Sequence, residues 1–354
     1  MEEKELQELQ ELKKLRDAGH LVEMKLEFQN NIDNPPITPK EMFAQASSGD
    51  VATMEYWNDI WLANIKANKE KFGSFAAHSI GKFYNHFQYK PCIVAGAGPS
   101  LKRNGHLLKD RGGIGLISCL HNFHFMEDNS VDVDFYVTLD AGEVTSEEVS
   151  EGGKNTPEFY WERTKTKKLL AFIGTSPRLL EKWQGEIYFF SASIPSKKFN
   201  DEVFKIEKFN CNLSTGGNVL GACLYAAKGI MGANPIVFVG ADFCFSYMHK
   251  FHAWDSKYDA KLGNVVKMTD VYGNKVLSWQ SYANFKAWFD QVTLSVPGIW
   301  INCSEGGTLG AFPEGNIIGI KQMKLVNLFD QYTMSRHLED QCLRPETEQT
   351  TILF

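Results

Sequence analysis

The segment Pro91-Cys92-Ile93-Val94-Ala95-Gly96-Ala97-Gly98-Pro99-Ser100-Leu101 decides the fold. A short apolar run with β-branched residues passes directly into a glycine turn and then a helix start, the pattern of a strand–turn–helix unit in an α/β sheet. Gly96 permits the tight turn. Gly98 lets the backbone approach a ligand with no Cβ in the way. Pro99 suits the first helical position, and Ser100 offers a hydroxyl. The free N–H groups and dipole of such a helix favour phosphate, although the same pattern also serves as a plain connecting turn. It is not the dinucleotide fingerprint. Leu101 stands where a third small residue belongs, and the second strand ends in Cys119-Leu120-His121-Asn122 with no acid for a ribose. A mononucleotide fits better, with Asn122 able to donate and accept hydrogen bonds.

Working outward, similar apolar runs recur at 114–118, 134–139, 168–173, 186–190, 235–240 and 298–302. Helical stretches separate several of them, most clearly at 218–231. This alternation predicts an α/β, Rossmann-like domain, its mostly parallel sheet covered by helices on both faces. We expect an N-terminal helical region over 1–85, a nucleotide-binding domain over 86–330 and a polar tail over 331–354. Residues 1–34 read as a helix whose Leu6, Leu9, Leu12 and Leu15 form a stripe. That stripe covers only about two heptads, so it suits packing on the chain's own body, or homo-oligomerisation through the N-terminal helices. Asn34-Pro35-Pro36 breaks it. Thr38, Pro39 and Glu41 restart a helix with a capping box, and a further helix runs over 50–72 with Met54, Trp57, Trp61 and Ile65 on one face and Gly73 as its stop.

Composition narrows the classes. The chain has 354 residues, 43% of them hydrophobic, which supports a substantial core and excludes wholesale disorder. A formal net charge of −6 disfavours duplex nucleic acid as a partner. No apolar run approaches the ~18 residues of a membrane span. The charged N-terminus does not read as a signal peptide, so a cytoplasmic location is expected. The 7 cysteines form no C-x-x-C pair and read as buried thiols.

The remaining polar candidates lie at strand ends. A second glycine turn, Ser214-Thr215-Gly216-Gly217-Asn218, precedes a helix that Ser214 or Thr215 can cap; Thr215, Gly216 and Gly217 are thus nucleotide-binding candidates. Asp242 follows the 235–240 strand, with Tyr247, His249 and His252 on the loop beyond it. A histidine there could act as base, and Tyr247 could donate to a leaving phosphate. Asp140 ends another strand, where it could hold a ribose or a metal or cap a turn. Glu305 follows the last strand as ligand contact or turn acid. No metal-ligating set is read, and no complete P-loop or nucleophile-elbow motif is present.

Gly96-Ala97-Gly98-Pro99-Ser100-Leu101, Thr138-Leu139-Asp140, Ser214 to Asn218, Val239-Gly240-Ala241-Asp242-Phe243 with Phe251-His252-Ala253, and Asn302 to Gly307 together resemble the MptE-like domain family over roughly 85–320. That family is named for an archaeal 6-hydroxymethylpterin diphosphokinase and includes the motility accessory factor (Maf) glycosyltransferases, whose fold is similar to sialyltransferases using CMP-sialic acid. The diphosphokinases carry acid-rich motifs where this chain has 168–176 and Ser214 to Asn218, without acids or histidine. The Maf branch is closer. The resemblance implies a nucleotide-activated sugar, with a CMP-linked donor, an acceptor left open and no metal. Gly96, Gly98, Ser100, Asn122, Thr215 and Gly216 would bind the nucleotide, His252 or His249 would be base and Tyr247 the phosphate donor. The alternatives are an ATP:pterin diphosphotransferase needing Mg²⁺ on Asp140 and Asp242, and a non-catalytic nucleotide-binding or structural protein. Maf proteins are longer, with a helical region after the catalytic domain; here the extra helices precede it.

Overall fold

The computed structural model describes residues 39–192, 194, 196–245, 252–253, 265–312 and 317–333, with side chains from Tyr56 onward. The leucine stripe, the Pro35-Pro36 break, Thr38, Tyr247, His249 and most of the expected tail lie outside these residues. The strands are β1 (Cys92–Ala95), β2 (Gly115–Cys119), β3 (Phe135–Thr138), β4 (Lys168–Phe172), β5 (Glu186–Ala192), β6 (Asn212–Leu213), β7 (Ile236–Val239), β8 (Val265–Thr269), β9 (Lys275–Trp279), β10 (Trp300–Asn302) and β11 (Lys321–Gln322). Nine of them form one parallel sheet in the order β11-β10-β7-β1-β2-β3-β4-β5-β6. β8 and β9 form a separate antiparallel hairpin.

The central strands are apolar end to end because helices cover both faces of the sheet. Every residue of β1, β2, β3 and β7 is buried. Phe135, Phe172, Phe189, Phe190 and Phe238 are among the largest fully buried side chains, each contributing about 1.5–3 kcal/mol by leaving water. β1 sits in the middle, with Ala95 opposite Ser118 on β2 and Val239 on β7. The chain walks outward from β1 to β6, then returns to place β7 on the other side of β1. The carboxyl ends of β1 and β7 therefore flank the point where strand order reverses, where open α/β sheets hold their ligands.

Five helices matter for the site: α1 (Pro39–Phe72), α2 (Leu101–Asn104), α3 (Lys197–Ile206), α4 (Val219–Tyr225) and α5 (Gln280–Ser295). The two stretches expected as separate helices merge into α1, which begins at Pro39 and runs 34 residues. Gly73, at φ 72°, ends it, and its N–H donates to the Lys69 carbonyl at 3.0 Å. α1 packs firmly on the sheet domain. Trp61 meets Phe172 and Phe199 edge-on, and Ile65, Phe75, Ile80 and Phe83 join the same buried cluster as the strands.

α1 also reaches over the carboxyl ends of the strands. Asn64 Nδ2 donates to the carbonyls of Ala141 (3.1 Å) and Gly174 (3.0 Å), and Asn68 Nδ2 to those of Ile173 and Thr175, both at 2.9 Å. These carbonyls belong to the loops after β3 and β4, which have no strand partner there, so the amides of α1 satisfy them. Among the described residues no helix is long and apolar enough to cross a membrane.

Candidate functional site

The loop after β1 is built against the loop after β7. Gly96 N donates to Val239 O at 2.8 Å and Gly98 N to Gly240 O at 2.9 Å. A Cβ on Gly98 would lie 2.1 Å from Asp242 Oδ2, and one on Gly96 would lie 2.5 Å from Gly240 O. The glycines thus serve the approach of the two loops to each other. Ser100 donates its hydroxyl (2.7 Å) and its amide (3.2 Å) to Asp242 Oδ2. The helix expected to open at Pro99 is the four-residue α2, starting at Leu101, and its leading amide and hydroxyl are already taken by this carboxylate. Burial raises Asp242 to about 6 against the pull of the Ser100 hydrogen bonds and the Arg103 charge. Ala97, Gly98 and Pro99 remain partly exposed.

Asn122 is fully buried and faces inward. Its Nδ2 donates to Ala95 O (3.3 Å), Gly96 O (3.1 Å) and Ser118 Oγ (3.0 Å), clamping the turn that β1 feeds. Its Oδ1 has no partner among the described residues.

The second glycine turn precedes α4, which packs across β1, β2 and β3. Leu220 of α4 lies 3.3 Å from a Cβ placed on Gly96, so the start of α4 borders the first turn. The cap is Asn218, whose Oδ1 accepts from Gly221 N at 2.9 Å; neither Ser214 nor Thr215 fills that role. Thr215 Oγ1 instead accepts from Gly217 N at 3.3 Å. Gly216, at φ 58°, lies under Trp288 of α5: a Cβ there would be 2.4 Å from the indole. Gly217 is exposed.

Glu305 is a turn acid with structural partners. Its Oε1 accepts from Asn104 Nδ2 (3.3 Å) and Leu325 N (3.0 Å), and its carbonyl accepts from Arg103 Nη2 (2.7 Å) and Tyr272 OH (3.0 Å). The loop it begins wraps Asp242, whose carbonyl accepts from Thr308 N at 2.8 Å.

A second polar cluster gathers at the ends of β2 and β3. His121 Nδ1 lies 3.4 Å from Glu148 Oε2, and its ring centroid is 4.4 Å from that of His252. The segment carrying His252 is pinned to the first turn by Ala253 N, which donates to Ala97 O at 2.9 Å. Asp140 follows β3 and is exposed to solvent. Desolvation by its neighbours, reinforced by the Glu148 charge and opposed by His121, raises Asp140 to about 7. Burial, then His121, pushes His252 down to about 3. At neutral pH His252 is therefore an uncharged ring.

His121 and Glu148 were not among the sequence candidates. His121 stood beside the candidate Asn122 at the end of β2, so its position was readable; Glu148 sits in an acidic stretch with no motif. Tertiary structure brings together Asp140 and His252 with these two residues. Asp242 belongs to a different charge environment, sensing Arg103 rather than Asp140.

The family model described as 6-hydroxymethylpterin diphosphokinase MptE-like matches residues 61–248, just over half the chain. The match begins inside α1 and ends beyond β7. No curated protein matches the chain. Among solved structures, a Maf glycosyltransferase from Magnetospirillum magneticum AMB-1 aligns with a TM-score of 0.48 at 14% identity, over 79% of this chain and 41% of that one. The chain thus spans about two fifths of that protein's length.

Proposed function

The chain belongs to the MptE-like family, and from that premise we propose that it is a transferase that moves a sugar from a nucleotide-activated donor, a CMP-linked nonulosonic acid, to a hydroxyl acceptor. The observation that carries this reading is the cluster of Asp140, Glu148, His121 and His252 beside the β1–β7 crevice. The nucleotide is assigned to the rim formed by Ala97–Pro99 and Thr215–Gly217, whose backbone is partly open to solvent. Asp140, at about 7, takes the proton of the acceptor hydroxyl as its oxygen forms a bond to the anomeric carbon. The bond from that carbon to the CMP phosphate breaks, and the phosphate leaves with the electron pair. His252, uncharged at this pH and so in its proton-accepting form, stands beside His121 as the second candidate base.

Thermal-shift titration with CMP, CDP, UDP, GDP and ATP, with and without Mg²⁺, tests the donor. CMP is expected to stabilise the protein most. Asp140→Asn is expected to slow release of CMP from a CMP-activated sugar by about 10²–10⁴-fold. Absence of stabilisation by any cytidine nucleotide overturns the reading.

The family's description favours one alternative, diphosphate transfer from ATP to a hydroxymethylpterin. It would use Asp140 and Asp242 as Mg²⁺ ligands. The commitment of Asp242 to Ser100 counts against it. AMP release dependent on the pterin would establish it.

A further inference from the structure

α1 carries an apolar stripe on its outer face. Ile65 and Asn68 are buried against the sheet domain, while Tyr56, Ile60, Ala63 and Ala67 are exposed. On an α-helix these four fall within about 60° of one another, on the side away from Ile65. Tyr56 is 72% exposed and Ile60 39%. The leucine stripe of Leu6, Leu9, Leu12 and Leu15 precedes α1 and lies outside the described residues. Asn34-Pro35-Pro36-Ile37-Thr38 separates it from the start of α1 at Pro39. Five residues suit the connection of an antiparallel helix pair, and residues 1–33 match the 34-residue length of α1. Folding back about this break sets residues whose numbers sum to about 72 opposite each other. Leu12 then meets Ile60 and Leu9 meets Ala63, with Leu15 beside Tyr56 and Leu6 beside Ala67. Leucines facing alanines let two helices approach closely. Charge agrees with this register. The acidic start, Glu2, Glu5 and Glu8, comes level with Lys66 and Lys71, and Lys13 and Lys14 come level with Asp59. A parallel arrangement would set the acidic start level with Asp59 instead.

We propose that residues 1–33 form an antiparallel helical arm on the exposed face of α1 in the same chain, with Leu9 and Leu12 covering Ala63 and Ile60. The occupant is the chain's own segment, because the five-residue break brings the two stripes together without a second copy. The arm buttresses the helix whose Asn64 and Asn68 amides hold the loops after β3 and β4. It buries the Tyr56–Ile60 face that α1 otherwise leaves in water. The pairing stands apart from the transferase reading and does not depend on it.

Disulfide trapping on the full chain tests it. Leu12→Cys combined with Ile60→Cys should link on oxidation with copper phenanthroline, because the register brings the two positions within reach of a disulfide. The product should run as a monomer on a non-reducing gel, and mass spectrometry should find the peptides holding positions 12 and 60 joined. Leu12→Cys combined with Lys71→Cys, about 16 Å off register along the helix, should link roughly tenfold less. Leu12→Cys alone controls for the native thiols. Trypsin cleavage after Lys13, Lys14 and Arg16 reads the same contact without new cysteines. Ile60→Asp changes an exposed position, so it should melt cooperatively as the wild type does, yet be cut at those sites about tenfold faster. A dimer linked through positions 12 and 60 would give the α1 face to a second copy and overturn the proposal. So would equal linking of the two cysteine pairs, no linking of either, or equal cleavage rates in wild type and Ile60→Asp.

Discussion

The Asp242 carboxylate closes on Ser100, taking its hydroxyl at 2.7 Å and its amide at 3.2 Å through a single oxygen, Oδ2. This contact joins the loops after β1 and β7 at the point where strand order reverses. It is made by the side chain that a metal-dependent mechanism would need free.

Replacing Asp242 with Asn tests the cost of that closure. Burial lifts Asp242 to about 6 from 3.8, so its contribution to stability is full below pH 3.8 and is lost as pH rises through about 6. A shift of about two units corresponds to stability on the order of 3 kcal/mol across that window. Asp242→Asn should lack this loss, so its stability relative to wild type should improve by a comparable amount between about pH 4 and pH 7. Urea denaturation at several pH values measures it, and parallel pH curves would refute the assignment.

Gly98→Ala should be destabilising without touching a ligand. The added methyl would meet the backbone carbonyl Gly240 O at 2.6 Å and, at 2.1 Å, Asp242 Oδ2, a side-chain atom held in place by Ser100. Overpacking of this kind costs about 1–3 kcal/mol. Chemical denaturation in the absence of nucleotide should show it; wild-type stability would mean that the glycine is there for a ligand.

Glu207 ties the end of α1 to the end of α3. Its carboxylate accepts from Lys69 Nζ (2.9 Å), Ser74 Oγ (2.7 Å), Phe75 N (3.0 Å) and Ala76 N (3.3 Å). Burial alone would raise its pKa, but these four donors hold it down to about 2. The stabilisation is present above 4.5 and is lost as pH falls toward 2. Glu207→Ala should cost about 1–3 kcal/mol at neutral pH, and the difference from wild type should shrink in acid. A pH-independent difference would argue for a packing role alone.

In α5, Lys286 pairs with Asp290, both nearly fully buried, and Asp290 Oδ1 also accepts from Gly310 N at 3.1 Å. Lys286→Met leaves a buried carboxylate with only that amide, which should destabilise by about 3–5 kcal/mol. Burial already raises Asp290, with Lys286 opposing, so removing the lysine raises it further. The penalty should therefore be larger at alkaline than at mildly acidic pH, as thermal melts across pH would show.

Seven strands of the parallel sheet were legible in the chain because a strand buried on both faces must be apolar throughout, and such runs stand out between helical stretches. β6 and β11, two residues each, carry too little pattern to read. The β8–β9 hairpin is mostly half-buried or exposed and turns at Gly273, so a search for continuous apolar runs passes over it. Gly96, Gly98 and Gly216 were found by type, since only glycine fits those backbones. What crowds them was not readable: Asp242 lies 142 residues from Ser100, and Trp288 comes to Gly216 from α5, far along the chain.

The sequence by itself determined the α/β class, the strand order's starting point at β1 and which glycines and strand-end acids deserved attention, because these follow from local periodicity and backbone sterics. Tertiary structure alone decided that Asp242 faces Ser100, that Asp140 keeps company with His121, Glu148 and His252, and that α1 lies over the loops after β3 and β4. Those outcomes depend on contacts between segments far apart in the chain, where burial and neighbouring charge set each group's protonation, and no local pattern encodes them.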